Sequence, residues 1–432
     1  MATDSTDLSP VLGPVLGPVL GPVLGIDFGT SNSAAGYVRD GKPQLIKLDG
    51  EKTTLPTTFF FDFETRKTLI GEPANQALLD GMDGRFMRAL KRVLGTNLMH
   101  EKRQILNKRV TFVDIIAGFL REIKQRAEAD TGLTFDSVIS GRPVVFHGVN
   151  DPREQQAEDD LRTCYLAAGF KEVSFMAEPE AAAIASGALE QSGEIGLIVD
   201  IGGGTSDFSL FRSGNDGVDI LANHGVRIGG TDFDRAINID RVMPLMGKGG
   251  SLRKWIGDGA SPVPHAIFND MATWEKIPFL YTAQNRRMVE EMLNLAHEPE
   301  KLGRLATILE DELGHELSFA VERGKIAANS GDASSVIELG LIERGLSVPL
   351  PTDALASVLA TYSKALHVGA QETLELAGLE TADVSSVIYV GGSSLLSMVS
   401  GTMKAQFPEA EHSFTEVFTA VTDGLALAAG RG

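Results

Sequence analysis

Short apolar runs that end in an acid and a glycine-rich turn alternate along this chain with stretches of helical period. LGIDFGTSN from Leu24 to Asn32 and LIVDIGGGTSD from Leu197 to Asp207 follow one plan. Each is a strand-type run, an aspartate (Asp27 or Asp200), a glycine turn, a Thr-Ser pair and a further polar residue. More strand-like residues follow, Ala34 to Val38 and Phe208 to Phe211, so each turn closes a hairpin. The usual P-loop and dinucleotide folds are thereby excluded, because there the glycines lead into a helix. Phe59 to Asp62 and Val138–Ile139 read as further strands, and Val113 to Ala129 as an amphipathic helix with Ile116, Phe119, Leu120, Ile123 and Ala127 on one face. Asn150 or Asp151 can cap a helix that has Pro152 at its first position and runs to about Ala168. Such alternation predicts an α/β architecture, with a second lobe beginning near Ile195.

The largest excursion lies between Ile237 and Ser330. Its first half is rich in glycine and turn residues and reads as irregular. In its second half a helix begins at Pro299, and Leu302, Leu305, Ile308, Leu309, Leu313, Leu317 and Val321 keep a helical period. Long surface insertions are thermodynamically cheap. This one is read either as a partner-docking subdomain or as an elaborated wall of the second lobe.

A glycine turn lets backbone N–H groups approach an anion closely, because no Cβ stands in the way. Two such hairpin loops, each with an aspartate, therefore predict two related lobes facing one polyphosphate. The pair Asp27 and Asp200 would hold a divalent cation. For either aspartate alone, capping its own turn is the simpler reading; the matched pair favours the metal.

These two segments resemble the phosphate motifs of the actin, sugar-kinase and DnaK-type heat-shock superfamily. Further stretches narrow the resemblance to the DnaK side. AEPEAAAIASG (Ala177 to Gly187) is similar to the segment joining the lobes, RIGGTDFD (Arg227 to Asp234) to the chaperones' Gly-Gly-x-Asp-Phe-Asp, and VIYVGGSS (Val387 to Ser394) to the adenosine motif. The resemblance covers Val23 to the C-terminus and is closest to the short, YegD-like members. It implies a two-lobed actin-like ATPase fold of duplicated ribonuclease-H-like domains. The expected division is a repeat-containing tail at 1–21, lobe I at 22–192 and lobe II at 193–432, with an enlarged, mainly helical subdomain at about 237–330.

The resemblance also implies a site. Gly29, Thr30, Ser31 and Asn32 in the first loop, with Gly202, Gly203, Gly204 and Thr205 in the second, would supply N–H and hydroxyl donors to the β and γ phosphates of ATP or ADP. Asp27 and Asp200 would hold Mg²⁺, an ion that dehydrates reluctantly, through its retained waters. ALKRVLG (Ala89 to Gly95) resembles the segment with the family's essential lysine, so Lys91 would stand near the γ-phosphate. Without the resemblance, a Lys-Arg pair in a helix is more simply a solvated face. Glu178 would orient the attacking water or the metal shell, although a glutamate at a helix N-terminus also complements the macrodipole. Pro143 falls where the family has a proline proposed to couple nucleotide state to lobe rotation.

Gly229, Gly230, Gly391, Gly392 and Ser393 would approach the adenosine, and Glu322 and Lys325 match the residues that meet the ribose. Ile326 and Leu395 depart from the pattern, standing where the family commonly places arginines against the adenine. Losing guanidinium stacking removes on the order of 1 kcal/mol per contact. Weaker nucleotide affinity is therefore expected.

Bulk properties fit a soluble cytoplasmic enzyme. With 39 basic against 58 acidic residues and a net charge of −19, nucleic acid and anionic membranes are not expected partners. A nucleotide and an unidentified protein partner or co-chaperone are. The single cysteine, Cys164, excludes an internal disulfide and reads as packing inside its helix. Pro10 to Gly25 is four copies of Pro-Val-Leu-Gly. Acidic Asp4 and Asp7 and the recurring helix breakers exclude a signal peptide or anchor there, and a disordered tail is expected. His315-Glu316 begins like a zincin motif but lacks the second histidine.

The resemblance implies a DnaK-like ATP-hydrolysing switch, slow in turnover, whose sequence stops where the chaperones continue into a peptide-binding domain. Client refolding by that route is not expected of this chain alone. A small-molecule kinase and an actin-like filament protein are the alternatives within the superfamily.

Overall fold

Both hairpins form at the expected places, and each occupies the centre of its own sheet. The structure, a computed structural model, describes residues 21–148, 150–186, 193–214, 217–254, 258–414 and 419–430. The expected disordered tail lies outside these residues except for Gly21. In the first sheet the strands run in the order Glu172–Ala177, Ser137–Arg142, Val23–Phe28, Asn32–Arg39, Lys42–Leu45. The second has the order Gly217–Val226, Ser206–Gly214, Ile195–Ile201, Ser386–Val390, Glu411–Phe414.

The two sheets share one topology. Val23–Phe28 pairs antiparallel with its hairpin partner and parallel with Ser137–Arg142, while Ile195–Ile201 does the same with Ser206–Gly214 and Ser386–Val390. Central strands covered on both faces need near-continuous apolar sequence, which VLGIDF and IGLIVDI provide. The plan, repeated once, is the duplicated two-lobed fold.

Each lobe has its own core. Phe28, Phe59, Phe119 and Tyr165 belong to the first, Leu197, Phe208, Phe233 and Leu317 to the second. A third cluster joins Ile139 of one sheet to Ile198 and Ile388 of the other through helices Glu178–Ala185 and Ala420–Ala429. These two helices cross in close contact: a Cβ on Gly424 would lie 1.7 Å from the carbonyl oxygen of Ala181. The run of alanines in the connecting segment serves this crossing.

Several local readings change. The helix expected from Pro152 runs Arg153–Ala168; Pro152 takes the capping position, and Asp151 Oδ1 accepts from the Arg153 N–H at 2.9 Å. Cys164 is buried within that helix. The glycine-rich segment 246–264, read as irregular, holds the strand pair Ser251–Arg253 with Ala260–Pro262, and helices Ala266–Met271 and Ala283–Leu295 follow it. The apolar period beginning at Pro299 belongs to two helices, Pro299–Glu310 and Gly314–Asn329. At the break Glu312 takes a left-handed φ of 57°. The Tyr281 hydroxyl donates to Glu312 O at 2.9 Å and accepts from the Gly314 N–H at 3.0 Å. A distant tyrosine satisfies the backbone groups freed at the break.

Candidate functional site

Between the sheets, where both hairpin turns point, lies a cavity of about 560 Å³, a volume typical of small-molecule sites. Its walls bring together Asp27, Gly29, Thr30, Ser31, Asn32, Lys91, Glu178, Asp200, Gly202, Gly203, Gly204, Thr205, Glu322, Lys325, Gly391, Gly392 and Ser393. Gly229 and Gly230 are not in its wall. They stand behind the second loop, where the Gly230 N–H donates to Gly202 O at 2.9 Å and a Cβ on Gly229 would meet Gly204 N at 2.5 Å.

The two loops touch. The Gly202 N–H donates to Thr205 O at 3.0 Å, closing the second turn. A Cβ on Gly203 would fall 2.6 Å from Ser31 Oγ of the opposite lobe. Close approach, with no left-handed backbone among these loop glycines, is therefore what glycine supplies here.

Lys91 sits in a short 3-10 turn, Leu90–Val93, and not on a solvated helix face. Ala89 before it is left-handed (φ 62°), an uncommon conformation for alanine of the kind that gathers at functional sites. The Lys91 ammonium, buried at 9% exposure, donates to Glu178 Oε1 at 2.5 Å. Burial works against its charge, but Glu178 and Asp27 outweigh burial and raise its pKa.

The acids around it are under electrostatic stress. Burial first, then repulsion from Glu178, pushes Asp27 up to about 7 against the opposing pull of Lys91. Asp200, 5% exposed, is raised by burial and then by Glu178, Asp207 and Asp27. Asp207, last residue of the second motif and missing from the sequence-based site, is pushed up to about 7 by burial and Glu178. Its Oδ1 accepts from the Val144 N–H at 2.7 Å, beside Pro143, and so joins the lobes under the cleft.

Four carboxylates thus share one ammonium, and a cation in their midst would relieve the imbalance. Among the described residues no group of three or more His, Cys, Asp or Glu side chains converges into a metal cage. The donor set fits a hard ion held by one or two carboxylates together with phosphate and water, which is the habit of Mg²⁺.

Two arginines that sequence reasoning missed flank Lys91 and cross to the second lobe. Arg92 donates to Asp232 at 2.8 and 3.1 Å and to Thr231 Oγ1 at 2.8 Å. Arg88 donates to both oxygens of Glu322, with its guanidinium 4.4 Å from the Trp274 ring centroid and 5.2 Å from that of Phe319. Burial opposes the ionised form of Glu322, yet Arg88 outweighs it and lowers the pKa. Lys325, one turn on, pairs with Asp234 at 2.6 Å. The only sequence signal for these arginines was a basic cluster in an acidic chain.

Beyond Glu322 and Lys325 the cavity becomes apolar at Ile326 and Leu395, which are 62% and 48% exposed. A doubled sheet, two touching glycine hairpins and paired aspartates across a cleft define a two-lobed protein of the actin-like ATPase fold. The profile of the Hsp70 protein family matches residues 23–243, and the chain belongs to that family. The Chaperone protein DnaK of Thermoplasma acidophilum is 36% identical over 221 residues, covering 49% of this chain and 34% of that relative. The Chaperone protein DnaK of Endomicrobium trichonymphae is 34% identical over 219 residues, covering 49% and 33%. The matched region spans about a third of the length of these relatives. No described helix is long and apolar enough to cross a membrane.

Proposed function

We propose that this protein is a DnaK-like, ATP-hydrolysing switch whose lobes, 22–192 and 193–432, close on Mg²⁺-ATP. The observation that carries the reading is the convergence of Asp27, Asp200, Glu178 and Lys91 on the mouths of two touching glycine loops. Membership of the Hsp70 family favours it over a kinase or a filament protein. In this reading the loop N–H groups and the Thr30, Ser31 and Thr205 hydroxyls bind the β and γ phosphates. Asp27 and Asp200 hold Mg²⁺, which supplies neutralisation of the charge that develops on the transferred group. Lys91 places a fixed positive charge at the γ-phosphate, and Glu178, which it orients, accepts a hydrogen bond from the attacking water.

Phosphoryl transfer needs mainly positioning and electrostatic stabilisation, so a site of charges and N–H donors is sufficient for it. Turnover is slow, the partner is a protein or co-chaperone, and the compartment is the cytoplasm, a reading supported by the single buried cysteine. The enlarged segment 237–330, which provides Trp274 behind Arg88, belongs to lobe II. Calorimetric titration with Mg²⁺-ATP and Mg²⁺-ADP, followed by single-turnover hydrolysis, tests the proposal. ATP binding with slow phosphate release supports it. Binding of neither nucleotide sinks it.

A further inference from the structure

Two buried hydroxyls that the proposed hydrolysis does not use lie within electrostatic reach of Asp27 and Glu178. Tyr165, on helix Arg153–Ala168, and Ser140, on strand Ser137–Arg142, are both fully buried, and their oxygens are 2.8 Å apart. The Ser140 hydroxyl donates its single proton to Gly141 O at 3.0 Å, so the proton between the two oxygens is that of Tyr165. Burial holds the tyrosine pKa well above its usual value, and the charges of Asp27 and Glu178 add to the effect, so the phenol remains a donor. Its ring packs edge-on against Phe170, with 5.8 Å between centroids. The donors therefore run in one direction, from Tyr165 through Ser140 to the Gly141 carbonyl.

Strand Ser137–Arg142 lies between Val23–Phe28, which carries Asp27, and Glu172–Ala177, which leads into Glu178, and all of them run parallel. Ser140 is level with Ile26 and Phe175, so Asp27, Gly141 and Met176 stand one position further on. Successive side chains alternate between the faces of a strand. Ser140 meets Tyr165 on one face. On the other, a Cβ at Gly141 would lie 3.2 Å from Glu178 Cγ and 3.4 Å from Leu425 Cδ1 of helix Ala420–Ala429. The missing side chain leaves the room that the Glu178 stem occupies, and Glu178 Oε1 in turn holds Lys91 at 2.5 Å. Burying two hydroxyls costs desolvation that a phenylalanine and an alanine would avoid. What the hydroxyls add is a fixed peptide beneath Glu178.

We propose that Tyr165, acting through Ser140, is a positioning residue for Glu178. The two hydroxyls hold the Gly141 peptide, and with it the Glu178 carboxylate, at the angle that receives a hydrogen bond from the attacking water. This rests on the role given to Glu178 under the proposed function. Hydrolysis is sensitive to such placement because orientation and charge are nearly all that the protein contributes to it. ATP binding, carried by the glycine loops, does not depend on it.

The test is single-turnover hydrolysis of Mg²⁺-ATP by the full chain, with ATP affinity measured by calorimetry on the same samples. Tyr165→Phe should lower the hydrolysis rate constant about tenfold and shift ATP affinity by less than about twofold. Ser140→Ala should do the same, and Ser140→Thr, which keeps the hydroxyl, should restore most of the rate. In a Glu178→Gln background Tyr165→Phe should bring no further loss of rate, because the group it positions is already altered, while its effect on the melting temperature persists. A merely structural role would slow both backgrounds alike. Wild-type rates in Tyr165→Phe and Ser140→Ala overturn the proposal, and so does a loss of about tenfold that persists in the Glu178→Gln background. If the wild type binds no ATP, or Glu178→Gln hydrolyses it at the wild-type rate, the role of Glu178 falls first and the proposal falls with it.

Discussion

Arg88 of lobe I lies 2.8 and 3.2 Å from the two carboxylate oxygens of Glu322, 234 positions away in lobe II. The pair is shielded by Trp274 and Phe319, whose rings stack on the guanidinium. It ties the wall of the cleft expected to meet a ribose directly to the opposite lobe. In the proposed reading, closing the lobes would order that wall in the same step.

Removing one member of a buried pair strands the other. Arg88→Met should destabilise the protein by about 3 kcal/mol, and the double variant Arg88→Met with Glu322→Gln should recover a large part of it. Denaturant unfolding of the four proteins of the cycle measures the coupling. A coupling near zero would remove the pair from any account of lobe closure.

Among the described residues, Lys91 is the ammonium set beside Asp27, Glu178, Asp200 and Asp207. Lys91→Met keeps the stem and deletes the charge, and should lower single-turnover phosphate release by at least about a hundredfold. Wild-type release would refute the role assigned to Lys91. The variant should also melt at a lower temperature without Mg²⁺ than with it, because Asp27 and Glu178 lose their counter-charge.

Crowding among the acids makes an opposite prediction for Asp200. Its folded pKa is raised by burial and by Glu178, Asp207 and Asp27. A raised acid contributes stability that is present below its unfolded pKa and lost as pH rises through the folded one. At pH 8, above the value of about 7 to which neighbouring Asp27 and Asp207 are pushed, the ionised cluster is strained, and Asp200→Asn should raise the melting temperature of the ligand-free protein. The same variant should lose Mg²⁺-dependent ATP binding. A lower melting temperature at pH 8 would contradict the strain.

His315 supplies the acid limb of stability. Burial, and then the charge of Arg88, lowers its pKa to about 3, and its ring packs edge-on against Phe86 at 4.8 Å. A depressed histidine contributes stability that is present above its unfolded pKa, about 6.5, and lost as pH falls toward 3. The loss is on the order of a few kcal/mol across that window. Glu316, raised by burial to about 7, acts with the opposite sign, so the difference between wild type and His315→Leu isolates the histidine. That difference should shrink steadily below pH 6.5 in urea titrations; a constant offset would mean that His315 does not titrate on unfolding.

Much of the site was legible because its chemistry is local. Asp27 and Asp200 end their strands in matched nine- to eleven-residue motifs, and the polarity pattern alone put both in hairpins. Family resemblance added Lys91 and Glu178, which the fold brings to 2.5 Å. Asp207 was visible as the last polar residue of its motif, but its value lies in the bond to Val144, a contact between lobes.

The sequence by itself determined the central strands, the doubled hairpin plan and the glycine loops, because periodicity and turn chemistry act over a few residues. Tertiary structure decided the rest. The apolar period after Pro299 held no sign that the Tyr281 hydroxyl would divide it into two helices. Nor could spacing show that Arg88 would find Glu322, or that Asn329 would bridge to Leu395. Those partners are distant in the chain, and only packing the two lobes together removes the water that would otherwise satisfy each of them alone.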